Sequence, residues 1–424
     1  MFRILNNEKN KRGDKMFKFI FLGVFLFKEI LEYILMKINI NYSISEKAKI
    51  PEELKEHINE EENKKIKAYL KDKSFLSNIS NLIDIAFTLF FILLLFPKME
   101  TFVININENI IVQGIIFYGI FLGISYILNL SFLLIKTFKI EEKYGFNKTT
   151  FKIFLSDLLK TIILLIIIGI PLISGTFYLI LNLNNWWIYL FVAIIIFQFL
   201  AILIYPKFIM PLFNKFTLLE DDELKEDLIK ISNESGFDVK KIFVMDASKR
   251  TKHSNAFFTG IGKSKKIVLF DTLLENHNKD EIKAIFAHEA GHYYYKHIKK
   301  TLFLSTFSMA AIILTLFLLM ESSLLNNAFN IDSIYTKLIY SIIFISSIFN
   351  FFEYISNHFS RKNEFQADNY SKKYVESKHL INALIKLHKS NLSNLTPHPL
   401  YSKLHYSHPP LIERIKNLKS KGGE

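Results

Sequence analysis

The chain has 424 residues, a formal net charge of +13 and no cysteine; half of its residues are hydrophobic, 42 of them Phe. Without cysteine, disulfides, thiolate metal ligands and cysteine nucleophiles are excluded, and any metal must be held by His, Asp or Glu. The positive charge sits between long apolar runs, which fits the loops of a membrane protein and excludes a soluble nucleic-acid binder.

Residues 1–15 are polar and basic and read as a short tail. No cleavable signal peptide is expected, because the first apolar run carries Lys28, Glu29 and Glu32 and lacks a small-residue cleavage site. That run, 16–36, is read as a first span, with an interfacial amphipathic helix as the alternative. Residues 37–78 are charged, and Pro51-Glu52-Glu53 reads as a helix start. Further spans are expected at 79–96, where Asp84 is the only charge, and at 109–135, 161–183 and 186–206, which carry none. Spans at 301–320 and 338–357 bring the count to seven. Lys is dense in the segments 37–78 (nine) and 136–160 (six), sparse at 97–108 (one) and absent from 321–334. The alternation places the basic loops and the C-terminal tail in the cytoplasm and the N-terminus outside, against the five Lys or Arg of residues 1–15.

The expected organisation is a membrane region over 1–206, a non-membrane segment over 207–300, spans six and seven within 301–357, and a C-terminal part over 358–424. In 207–300, Leu224 to Ser235 reads as an amphipathic helix, and Lys240 to Met245 and Lys266 to Phe270 read as strands. Ser254 to Gly260 lies between them and ends in a glycine turn. A strand edge before the next helix suits an extended peptide, which binds by adding a strand.

That helix carries His288-Glu289-Ala290-Gly291-His292. Positions i and i+4 share one helical face, so both imidazoles can reach one metal ion, with Glu289 beside them to polarise a bound water. Two imidazoles and a carboxylate suit catalytic zinc. The bland alternative is a chance match, which the apolar helical face of Ile282, Ala284, Ile285 and Ala287 argues against. The small Ala290 and Gly291 are read as leaving room for a substrate strand. Glu364, after the last span, is the candidate third ligand, on a helix continuing that span. Asp368 lies on the same face at i+4 and is read as either a proton donor or the group that orients a ligand histidine. By themselves these acids also fit a solvated juxtamembrane helix. His297 has the wrong spacing for a ligand and reads as interfacial; His253, His277, His358, His379, His388, His398 and His405 read as non-ligands.

Five further stretches sit in order with the H-E-A-G-H motif: Ile140 to Lys148, Pro211 to Phe216, Ser248 to Ala256, Val268 to Leu274 and His405 to Ile415. Together they resemble the integral-membrane CAAX prenyl protease family, over nearly the whole length. The resemblance implies a predominantly α-helical multi-pass membrane protein, seven transmembrane helices around an intramembrane chamber, with a small α+β zinc-peptidase domain at the cytoplasmic side. It implies one Zn2+ per chain on His288, His292 and Glu364, with Glu289 as base. It also implies that Asn255 binds the substrate backbone and that His408 and Arg414 approach the metal from the tail. His408 otherwise reads as a turn residue before Pro409-Pro410. The implied partners are a peptide, with or without a prenylated C-terminal tail, and the lipid bilayer, with no nucleic acid and a monomeric chain. The implied site faces the cytoplasm, in a bacterial inner membrane or in the endoplasmic reticulum of a eukaryote.

Three alternatives stay open on the sequence. A membrane quality-control protease lacks prenyl selectivity. A site-two-type protease would bury the motif in an apolar span, which Lys283, Lys296, Lys299 and Lys300 oppose. A transporter with structural zinc would leave Glu289 without a role.

Overall fold

Apolar runs satisfy their backbone hydrogen bonds within helices. In the computed structural model, which describes residues 2–236, 239, 241–259 and 266–420, the first is α1 (Phe2–Ile44). It absorbs residues 2–15 of the expected tail, which do not form a separate segment. Pro51-Glu52-Glu53 opens only a 3₁₀ turn, Glu52–Leu54. The helix begins later, where Asn59 and Glu62 form a capping box that satisfies two orphan amides. There follow α2 (Glu60–Ile106), α3 (Ile110–Glu141), α4 (Phe151–Asn182) and α5 (Trp186–Phe213).

The chain then forms a four-stranded sheet in the order β1-β2-β4-β3. Its strands are β1 (Phe216–Leu218), β2 (Ile242–Met245), β3 (Ala256–Thr259) and β4 (Lys266–Phe270). β2 and β4 are parallel; the outer pairings are antiparallel. The strands expected at 240–245 and 266–270 are β2 and β4, although Lys240 lies outside the described residues. The edge is elsewhere than expected. β4, with Ile267, Val268 and Leu269 buried, is central, as a continuous apolar run requires. β3 forms the edge, from the stretch read as leading into a turn, and its Gly260 lies outside the described residues. α6 (Asp222–Glu234), the expected amphipathic helix, packs Leu224, Leu228 and Ile231 against Ile242, Ile267 and Leu269. The same core takes in Ile282, Ile285 and Phe286 of α7 (Lys279–Tyr294).

After α8 (His297–Glu321) come α9 (Ile334–Phe349) and α10 (Phe351–Ser371), bent by 45° at the break between them. The span expected at 338–357 is therefore broken. Among the described residues five helices, α2 to α5 and α8, are long and apolar enough to cross a membrane, or six if α9 and α10 count as one. α1, interrupted by Lys28, Glu29 and Glu32, is not among them. Glu32 of α1 accepts a hydrogen bond from Asn350 Nδ2 (2.6 Å) at the α9–α10 break, so its charge meets a polar partner on another helix.

Three C-terminal helices follow: α11 (Ser377–Ser390), α12 (Pro399–His405) and α13 (Leu411–Lys419). Leu380, Leu384, Leu411 and Ile415 of this tail pack against Ile66, Tyr69, Ile140 and Tyr144. Tyr370 and Ala383 complete the core beneath α7. The tail thus joins the start of α2 and the end of α3 to the sheet region.

Candidate metal centre

α7 starts at a capping box: Asn278 Oδ1 accepts from the Glu281 amide (2.9 Å), and Glu281 accepts from the Asn278 amide (3.1 Å). From there Ile282, Ala284, Ile285, Ala287 and Ala290 are buried, which fixes the helix's rotation and turns His288 and His292 toward α10. Gly291 has a different role from the one expected. A Cβ built on it would lie 2.9 Å from Tyr370 Cβ and 3.0 Å from Ala367 Cα. Gly291 leaves room for α10, and this close crossing brings Glu364 to the two histidines.

One donor atom each from His288, His292 and Glu364 lies within 4.8 Å of the other two. Glu364 Oε1 is 3.1 Å from His292 Nε2, and its Oε2 is 3.4 Å from His288 Nε2. Oε2 is also 2.9 Å from His408 Nδ1, yet this buried oxygen accepts no well-aligned hydrogen bond. The two Nε2 atoms face each other at 3.2 Å.

The partners behind the rings set their tautomers. Asp368 Oδ1 is 2.8 Å from His288 Nδ1 and accepts a hydrogen bond from its N–H, leaving the Nε2 lone pair for the site. His297 Nε2 donates to Gln366 Oε1 (2.9 Å), so its Nδ1 accepts from His292 Nδ1 (3.0 Å), and the His292 Nε2 lone pair also faces inward. Two inward imidazole lone pairs beside an unsatisfied buried carboxylate oxygen fit a zinc ion. Burial opposes protonation of His288, but Asp368 and Glu364 outweigh it and raise its pKa to about 9, so a metal at Nε2 would have to displace a proton.

His297 is thus not interfacial: it is 3% exposed and holds His292 in place. Spacing concealed this, because Lys296 adopts a left-handed conformation (φ 58°) that breaks the helix and folds His297 back. Gln366 was not foreseen either; its only signal was its place between Glu364 and Asp368.

Asp368 is fully buried and held by Arg414, whose Nε (3.0 Å) and Nη2 (2.6 Å) donate to its two oxygens. This is the fork geometry that suits a guanidinium and a carboxylate. Arg414 Nη1 lies 3.6 Å from Glu364 Oε2. Glu289, His408, Asn255 and Arg414 all line one cavity of 760 Å³. Asn255 is exposed there, immediately before β3, with its Oδ1 accepting from the Ala256 amide (2.8 Å).

The chain matches two family descriptions, "CAAX prenyl protease N-terminal, five membrane helices" over 41–215 and "Peptidase family M48" over 218–421. It is 34% identical to CAAX prenyl protease 1 of Saccharomyces cerevisiae, over 89% of this chain and 90% of that one. It is 37% identical to the CAAX prenyl protease 1 homolog of Arabidopsis thaliana, with 87% and 89% covered. The crystal structure of S. mikatae Ste24p superposes with a TM-score of 0.89 at 33% identity, covering 95% of this chain and 99% of that one. Two complementary matches and near-complete coverage leave one assignment: the chain is a multi-pass membrane metalloendopeptidase of the CAAX prenyl protease 1 family.

Proposed function

We propose that this enzyme hydrolyses a peptide bond near the C-terminus of prenylated CAAX-type peptides, with His288, His292 and Glu364 holding one zinc ion per chain. The observation that carries the reading is the convergence of those three donors beside Glu289, in the wall of a cavity bordered by the β3 edge. When bound, zinc supplies Lewis acidity to the scissile carbonyl and to the attacking water. Glu289 takes a proton from that water as it attacks the carbonyl carbon, and passes it to the leaving amine. Asn255 and the free edge of β3 hold the substrate backbone extended. His408, 65% exposed beside Glu364, and Arg414 Nη1 present donors to the carbonyl oxygen as it gains charge. Asp368 acts from behind His288 as a positioning residue rather than a proton donor, since it is fully buried by His288 and Arg414.

In the same reading the chain acts as a monomer and α1 is a seventh span, leaving the site on the cytoplasmic side with the basic loops. Protection of the 207–300 segment from protease in cytoplasm-side-out vesicles would overturn that orientation.

The test is cleavage of a farnesylated CAAX peptide and its unprenylated twin by detergent-purified protein. The expected result is cleavage of the lipidated peptide, lost with a chelator and reduced about 10²–10⁴-fold in Glu289→Gln. Equal cleavage of both peptides would remove the prenyl selectivity, and full activity of Glu289→Gln would remove the mechanism.

A further inference from the structure

Two cavities meet at Glu289, and they differ in chemistry. The larger, 760 Å³, runs from His288 and Glu289 past Asn255 and His253 to Tyr69 and Lys73 on α2. The smaller, 380 Å³, lies toward α8, with Phe257, Tyr293, Ile298 and Leu302 forming its apolar wall and His292, Thr301, Ser360 and Asn363 its polar one. A peptide lying across Glu289 has one end in each.

Lys73, exposed on α2, carries an ammonium that feels the charge of Glu141 without touching it. Among the described residues it forms no ion pair, and its Nζ sits 4.8 Å from the centre of the Tyr69 ring. The other strong cation of the larger cavity, Arg414, is buried and bound to Asp368 through Nε and Nη2, leaving only Nη1, which lies beside Glu364 at the candidate metal centre. Glu141, the carboxylate beside Tyr69, accepts from the Tyr69 hydroxyl (2.8 Å) and lies 3.4 Å from His253 Nε2, so its oxygens are already engaged. Those hydrogen bonds leave Glu141 its negative charge, which acts on Lys73 from beyond ion-pair distance, so this end of the cavity offers a cation with no carboxylate in direct contact, free to take an anionic group of the ligand.

We propose that Lys73 binds the free C-terminal carboxylate of the substrate, and so sets which end of the peptide enters the larger cavity and how far from the terminus the cut falls. This rests on the reading of the enzyme as one that cuts near a C-terminus. The polarity agrees with the sheet. Asn255 and Ala256 line the larger cavity and Phe257 the smaller, so β3 runs from the cationic end toward the apolar end. A peptide with its C-terminus at Lys73 runs the opposite way, antiparallel to β3, the slightly more stable pairing. Its N-terminal side, with any lipid, then lies among the apolar residues next to the membrane helix α8.

The experiment measures binding and cleavage separately, on full-length protein in detergent. For binding, a dye-labelled aliphatic tripeptide is titrated as the free acid and as the C-terminal amide, against wild type, Lys73→Met and Lys73→Arg. Wild type is expected to bind the acid about 10- to 100-fold more tightly than the amide. The ratio should fall to about one in Lys73→Met and return in large part in Lys73→Arg. For cleavage, the farnesylated peptide acid and amide should show the same ratio, carried mainly by KM. A wild-type protein that binds both tripeptides alike, or a Lys73→Met protein that keeps the acid preference, overturns the anchor. Acid-selective binding through Lys73 with no cleavage of any lipidated peptide leaves the anchor standing and removes the proposed substrate instead.

Discussion

The α7–α10 crossing and the membrane helices α4 and α5 are held together in opposite ways. In α7, nine of 16 residues are buried, and Gly291 touches α10 where no side chain fits. In the apolar windows of α4 and α5 only 6% of residues are buried, and Leu165 and Ile167 face outward at 56% and 62% exposure. Lipid solvates those side chains as well as protein would, so composition alone is enough to define the helix there. At the crossing the side chains are closely packed, and a change of one group must be absorbed by the candidate ligands.

The largest contrast should come from charge. Arg414→Ala leaves Asp368 buried without its main partner and is expected to cost about 3–5 kcal/mol. Leu165→Ala, facing lipid, should stay within about 0.5 kcal/mol. Thermal unfolding of the two variants in the same detergent measures the difference, and equal losses would dissolve the contrast. Shape comes next. Gly291→Val forces its branched side chain onto Ala367 and Tyr370 and should cost about 1–3 kcal/mol, with a loss of bound zinc as Glu364 is pushed away. Gly169→Val, with nothing within 4 Å of its Cβ, should be near neutral. Smaller again is His297→Ala, expected to weaken zinc binding about 10- to 100-fold while the helical circular dichroism is kept. An unchanged zinc titration would mean that His292 needs no support from behind.

The smallest effect is a pH slope. Burial pushes the pKa of His388, on α11, down from 6.5 to about 4, and its Nδ1 donates to the Leu384 carbonyl (2.8 Å). The folded state binds this proton less readily than the unfolded chain, so the stabilisation is complete above pH 6.5 and is lost as pH falls toward 4. The melting temperature should fall over that window by more in wild type than in His388→Gln. Parallel curves would show that His388 does not contribute.

The motif helix, the candidate ligands His288, His292 and Glu364, and most spans were legible in the sequence, for two physical reasons. Helical spacing puts i and i+4 on one face, and a long uncharged run has few alternatives to a membrane helix. Neither reason extends to partners distant in sequence. The pairing of Arg414 with Asp368, the support of His292 by His297 and Gln366, and the contact of Gly291 with α10 all depend on how separate elements pack. So does the edge of the sheet, which passed from β4 to β3 because pairing on both sides covers the more apolar strand. The sequence by itself determined the reaction class and the membrane setting, since both follow from residue types at short range. Tertiary structure decided which carboxylate orients a ligand and which lines a cavity, and it brought Lys73 into the wall of the same cavity as His288. Those outcomes are set by distances across the fold, and no periodicity along the chain encodes them.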